Sequence, residues 1–139
     1  MENNLEKFKK ILQMKGHKAT RSRLLVISNF SPECEPMSAR DIYEKVKKSG
    51  TDYATVYRIL SAFLKSGILK RADLRKDSSY FELADTHHHH MVCTDCGLIE
   101  DFNDCKIGAL GKNIIKSSSK FKKIKDHSFE LFGLCNSCS

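Results

Sequence analysis

In "DYATVYRILSAFLKSG", residues 52–67, the apolar side chains recur at a single helical spacing. Val56, Ile59, Leu60, Phe63 and Leu64 fall at i, i+3, i+4, i+7 and i+8, the stripe that a helix buries against a core. Thr55, Tyr57, Arg58 and Ser61 are left on or near the other face, close to the helix start. Such a helix has one face for packing and one free for contact. After Gly67, "ILKRADL" and "SSYFEL" read as two strands around the polar turn "RKDS".

Upstream, Leu5, Phe8, Ile11 and Leu12 repeat at helical spacing, and Gly16 predicts the stop. Thr20 is placed as the N-cap of a second helix that buries Leu24, Leu25, Ile27 and Phe30, or a subset of them. "SPECEP" is a loop. Ser38 with Asp41 three residues on resembles a capping box, opening a third helix with Ile42, Tyr43 and Val46 inward, and "KKSGT" breaks it. Helices followed by a two-stranded hairpin form a winged helix-turn-helix. There the last helix enters the major groove by its N-terminal residues, and the hairpin lies along the backbone. On that fold Arg58 can reach guanine O6 and N7, while Tyr57 and Thr55 can meet a thymine methyl or a phosphate. Lys18, Arg21 and Arg23 are candidates for backbone phosphates, with the minor groove an alternative for Lys18. The plainer alternative is that Arg58 only decorates an exposed helix face.

The charge supports a division of labour. Residues 1–83 hold 17 Lys+Arg against 10 Asp+Glu, a net of +7, and residues 84–139 hold 7 of each. Five of the six histidines and five of the six cysteines lie in the second stretch. A basic nucleic-acid-binding half, 1–83, joined to a metal-binding half, 84–139, accounts for both asymmetries; a solvated basic surface without a partner is the alternative. No run of 18 apolar residues and no leader-like start occurs, so neither a membrane span nor secretion is expected, and a cytoplasmic location is.

Two C-x-x-C pairs, Cys93/Cys96 and Cys135/Cys138, stand 38 residues apart. In a reducing compartment such pairs favour metal over disulfide, and Zn²⁺ takes four soft ligands, two from each turn. The gap needs a folded unit, which "LIEDF" as a strand, residues 107–115 as a helix and "HSFELFGL" as a strand can supply. A lobe this small has a thin core, and structural zinc, on the order of 10–16 kcal/mol in small peptides, would let it fold. A thioredoxin-type redox pair would need a βαβ context that is missing here.

Between the wing and the first pair runs "HHHHMVC". On a strand, side chains alternate, so His88 and His90 point one way and His87 and His89 the other. Glu82 and Asp101 suit one site and His127 the other. A surface position is the alternative for any single histidine, but not for all four beside a zinc knuckle. Hydrolytic zinc chemistry is not expected: H-E-x-x-H is absent, no Glu lies two residues after a histidine, and no Pro precedes either cysteine pair. Saturated protein coordination would leave no position for a substrate.

"GHKATRSRLLVI", "DYATVYRIL", "YFEL…HHHHMVCTDCG" with "IEDF", and "HSFELFGLCNSC" together resemble the bacterial ferric uptake regulator family, over essentially the whole chain. The resemblance implies an α+β protein that is not an enzyme: an N-terminal winged-helix DNA-binding domain and a small α/β dimerisation domain with structural zinc. It implies a homodimeric, metal-dependent repressor on a palindromic double-stranded operator. The four-cysteine zinc would fall on Cys93, Cys96, Cys135 and Cys138. A regulatory Fe²⁺, Zn²⁺ or Mn²⁺ would fall on Glu82, His88, His90 and Asp101, and a weaker second inner site on His87, His89 and His127. Three positions depart from the family. A ligand histidine falls on Pro36, with Glu33, Cys34 or Glu35 as substitutes. A carboxylate of the second site falls on Gly108, with Glu100, Asp104 or Cys105 as substitutes. Ser22 stands where proline is frequent. Cys34 and Cys105 otherwise read as small buried residues. Metal between the lobes is expected to close a hinge near residues 84–86 and set two recognition helices roughly 34 Å apart. A peroxide-sensing repressor of the same family, or a zinc-stabilised nonspecific nucleic-acid binder, is the alternative.

Overall fold

The computed structural model describes residues 2–85, 87–103 and 106–139. Thr86 of the expected hinge, and Asp104 and Cys105, offered above as substitute ligands, lie outside the described residues. The chain divides into two compact units, Met1–Thr86 and His87–Ser139.

Unit 1 comprises α1 (Glu2–Met14), α2 (Arg21–Ile27), β1 (Met37–Ser38), α3 (Ala39–Val46), α4 (Tyr53–Lys65), β2 (Leu69–Ala72) and β3 (Tyr80–Leu83). Its helix ends follow local chemistry. Gly16, past the end of α1, takes φ +80°, a conformation that glycine adopts without steric cost. The Thr20 side chain accepts from the Arg23 amide at the start of α2. Ser38 and Asp41 form a full capping box, the Asp41 amide donating to Ser38 Oγ at 3.1 Å and the Ser38 amide to Asp41 Oδ2 at 2.9 Å. Asp52 caps α4, accepting from the Thr55 amide at 2.7 Å.

The expected stripe of α4 packs as a row: Val56, Ile59, Leu60 and Phe63 are buried and Leu64 is partly so. One expectation needs correction and two are narrowed. The wing is three-stranded, in the order β1-β3-β2, because Met37 and Ser38 pair antiparallel with Phe81 and Tyr80. In α2 it is Val26 and Ile27 that are fully buried, with Phe30 beyond the helix, while Leu24 and Leu25 only flank the core. In α1, Leu12 is buried and Phe8 and Ile11 are half-buried, but Leu5 is exposed because the first turns of the helix run past the core.

Unit 2 comprises β4 (His89–Cys93), β5 (Ile99–Phe102), α5 (Ile107–Ser117) and β6 (Glu130–Gly133), with a sheet ordered β5-β4-β6. β5 pairs antiparallel with β4, and β6 pairs parallel with it. Its core is thin: among the described residues only Val92 and Cys93 are buried hydrophobics, and Leu98, Leu110, Ile114, Phe121 and Leu134 are each more than half exposed. Gly111 of α5 is buried because a Cβ there would stand 3.1 Å from Ile124 Cδ1, so the segment after the helix passes closely over it.

Candidate metal centres and nucleic-acid face

The parallel pairing of β4 and β6 decides where the cysteines go. Parallel strands end at the same edge, and Cys93 is in register with Gly133. Each C-x-x-C turn begins at or just past its strand's end, so Cys93, Cys96, Cys135 and Cys138 meet with their sulfurs within 4.8 Å of one another. The turns are built alike, with Gly97 N–H donating to Cys93 O and Ser139 N–H to Cys135 O, each at 3.0 Å. Gly97 at φ +79° lets the first turn close. The Cys135 amide points at Cys93 Sγ, 3.4 Å away, and Cys96 Sγ lies 3.7 Å from Cys135 Sγ.

Four sulfurs this close cannot all be anionic without a cation among them. The amides of Cys96 and Cys135 directed at its sulfur bring the Cys93 thiol down to about 6, and the neighbouring sulfurs of Cys135 and Cys96 push the Cys138 thiol up to about 12. A divalent cation that takes thiolates resolves that conflict, and the donor set fits Zn²⁺.

The histidines sort along the strand as its alternation requires. The His87 and His89 rings lie 5.1 Å apart, and those of His88 and His90 lie 4.9 Å apart. His127, which precedes β6, joins the first pair at 5.3 Å from each ring. His89 is held between Phe102 and Phe129, each 5.5 Å from its ring, and its Nε2 is buried without a hydrogen-bond partner. Burial first, then the nearby His87 and His127, lower its pKa and keep the imidazole neutral, the form that binds metal. A polar atom buried without a partner is costly, and a cation held with His87 and His127 would satisfy it.

On the other face His90 is almost fully buried, and Asp101 opposes it in the sheet register with Oδ1 3.7 Å from His90 Nε2. That gap is longer than a hydrogen bond and leaves room for an ion. Glu82 lies on β3 of unit 1, buried and 3.7 Å from Lys70 Nζ, its cross-strand neighbour.

The candidate substitutes for the histidine at Pro36 do not form a cluster. Glu33, Cys34 and Glu35 are exposed, and Pro36 itself is buried. The expectation that Cys34 is a small buried residue is therefore wrong: the flanking carboxylates keep that loop in water, and the thiol takes a hydrogen bond from Ser31 Oγ at 3.0 Å. At Gly108 a Cβ would meet nothing within 4 Å; of the substitutes for the missing carboxylate, Glu100 is exposed, and Asp104 and Cys105 lie outside the described residues.

On unit 1, Thr55, Tyr57 and Arg58 occupy the face of α4 opposite its buried stripe. Tyr57 is 55% exposed, and Arg58 Nη2 reaches Thr55 Oγ1 at 3.4 Å. Lys18 and Arg21 are exposed at the turn into α2, where Arg23 donates to Lys18 O at 3.1 Å and fixes the loop. Sequence reasoning missed the Asp52 cap, although Asp ahead of a helical stripe with an amide three residues on is the usual signal. It also missed the parallel β4–β6 pairing, for which no local signal exists.

Comparison with known proteins matches residues 14–132 to the family model described as the ferric uptake regulator family. A ferric uptake regulation protein of Neisseria meningitidis is 34% identical over 140 residues, covering 96% of each chain. The ferric uptake regulator of Pseudomonas aeruginosa with manganese superposes with a TM-score of 0.75 at 32% identity, over 93% of this chain and 98% of that one. The Helicobacter pylori ferric uptake regulator, described as having three functional metal binding sites, gives 0.75 at 26% identity, over 99% and 92%.

Proposed function

This chain belongs to the ferric uptake regulator family of metal-responsive DNA-binding regulators, which act as dimers and are not enzymes, and on that premise we propose that it is a metal-dependent transcriptional repressor. The division of donors in unit 2 carries the reading. A protein needing only an ion to hold its fold has use for the four cysteines, but not for a further set of imidazoles sorted to the two faces of β4.

Cys93, Cys96, Cys135 and Cys138 are assigned to structural Zn²⁺, and His88, His90 and Asp101 to the regulatory ion, with Glu82 added by its place six residues before His88. His87, His89 and His127 are assigned to a second ion. Imidazole with carboxylate suits Fe²⁺ and Zn²⁺, and Mn²⁺ where oxygen dominates. Thr55, Tyr57 and Arg58 on α4, with Lys18 and Arg21, form the DNA face, and a homodimer presents two such faces to a palindrome. No helix among the described residues is long and apolar enough to cross a membrane, and a chain that binds DNA is placed in the cytoplasm. A ligand set drawn from residues 82–101 would make ion binding and the DNA-competent arrangement one equilibrium.

The test is DNA binding of chelator-treated protein, its four-cysteine zinc retained, titrated with Zn²⁺, Mn²⁺ and anaerobic Fe²⁺ against an A/T-rich palindrome and a scrambled duplex at one salt concentration. One ion raising the preference roughly ten-fold, about 1.4 kcal/mol, supports the repressor reading and identifies the ion; Glu82→Ala then removes most of the effect. No ion changing the preference overturns it in favour of nonspecific binding.

A further inference from the structure

The cluster of His87, His89 and His127 differs in kind from the other donors of unit 2: among the described residues it contains three imidazoles and no carboxylate within the 4.8 Å that joins the donor atoms. Its inner member is the one whose buried Nε2 has no partner. Its outer members, His87 and His127, are exposed and line a cavity of about 790 Å³ beside α5. Gly108 lines the same cavity with open space where a side chain would start. The wall further along α5 is apolar, at Leu110 and Ile114, and Ile124 faces it. Lys122 and Lys125 are among the four lysines that line the cavity, with Lys112 and Lys123. Asp126 also lines the cavity, but its Oδ1 accepts from the His127 amide at 2.8 Å.

We propose that the three imidazoles hold a borderline divalent ion with one coordination position open to this cavity, and that the position takes the carboxylate of a small aliphatic acid. The proposal rests on the reading above that these histidines hold an ion. Three neutral ligands leave the full double charge uncompensated and one position free, and imidazole without oxygen donors favours Zn²⁺ or Co²⁺ over Mn²⁺. A carboxylate oxygen replaces one water there, with no other bond formed or broken. The acid's charge meets Lys122 and Lys125, and its chain lies along Leu110 and Ile114. The cavity volume falls within the range of roughly 300–1,000 Å³ usual for small-molecule sites.

The experiment uses the full-length chain with its cysteine zinc in place and Co²⁺ as the probe. The difference in visible absorption between wild type and His127→Ala isolates this cluster. Butyrate is expected to change that difference spectrum at constant Co²⁺ and, by reciprocal linkage, to tighten Co²⁺ binding roughly five-fold or more. Acetate, lacking the apolar chain, acts more weakly, and phosphate at equal concentration less still. Gly108→Glu brings a carboxylate to the same cavity, so it retains Co²⁺ and loses the butyrate response; Lys122→Ala with Lys125→Ala weakens that response. A Co²⁺ spectrum unchanged by His127→Ala overturns both this proposal and the ion assignment beneath it. A His127-dependent spectrum indifferent to carboxylates overturns this proposal alone. So does a thiolate-to-cobalt charge-transfer band lost in Cys105→Ser, which would show the open position already filled.

Discussion

Arg58→Ala separates a base-reading helix from a merely basic one. Arg58 is exposed on α4, and its only described hydrogen bond is a long one, Nη2 to Thr55 Oγ1 at 3.4 Å. The stripe that anchors the helix, Val56 to Phe63, lies on the opposite face. Truncation should therefore leave folding stability within about 0.5 kcal/mol, as for surface positions away from caps and cores. On a cognate operator the loss is of another order. A bidentate arginine–guanine contact contributes about 1–3 kcal/mol of discrimination, or roughly a 5- to 150-fold weaker Kd. The assay is fluorescence anisotropy on operator and scrambled duplexes across a salt series, with a thermal melt as control. Arg58→Lys serves as the discriminating partner because it keeps the charge and loses the planar fork. Selective loss on the operator in both variants, with a nearly unchanged salt slope, is the expected result. Equal loss on both duplexes, with the slope reduced by about one and rescued by lysine, would refute base reading and make Arg58 a phosphate contact.

Two further perturbations test what holds each unit. His17 packs edge-on against Phe63 at 5.5 Å with its Nε2 buried and unpartnered, and burial, then the Arg23 charge, lower its pKa. A lowered folded-state pKa means that the unfolded chain binds more protons, so this contribution to stability is present above about pH 6.5 and is lost as pH falls below it. His17→Leu should raise stability by about 1 kcal/mol at neutral pH and flatten the fall between pH 7.5 and 5.5 in urea unfolding; an unchanged pH dependence would refute the assignment. Cys138→Ser should release zinc and, since among the described residues of unit 2 only Val92 and Cys93 are fully buried hydrophobics, abolish its ordered structure. Unit 1, with Phe63, Leu60 and Ile42 in its own core, should keep its helices by circular dichroism. A zinc-free variant with the unit 2 strands still protected from hydrogen exchange would show that the cysteines are dispensable.

The winged helix was legible because its decisive signals are local. The α4 stripe spans more than two turns and so fixes the helix's rotation, while the Ser38–Asp41 box and Gly16 mark ends by groups a few residues apart. In α2, seven residues with apolar side chains at four consecutive positions admit more than one inward face, and packing against α4 selected Val26 and Ile27 over Leu24 and Leu25. The strand β1 is two residues long and exists only because β3 offers an edge, so no periodicity could announce it.

The metal centres divide along the same line. That four adjacent histidines separate into two sets follows from strand alternation, a property of any extended segment. Which distant residue completes each set follows from pairing. Antiparallel β5 brings Asp101 opposite His90, and parallel β6 carries His127 toward His87 and Cys135 toward Cys93 from about forty residues away. One strand order, β5-β4-β6, thus serves all three donor sets, and β4 contributes to each of them. Any change that shifts β4 by one residue exchanges its faces, moving His89 toward the Asp101 side and His90 toward His127. The donor sets and the register of β4 are therefore a single structural feature, and ions bound as proposed would favour the one register that presents all three sets.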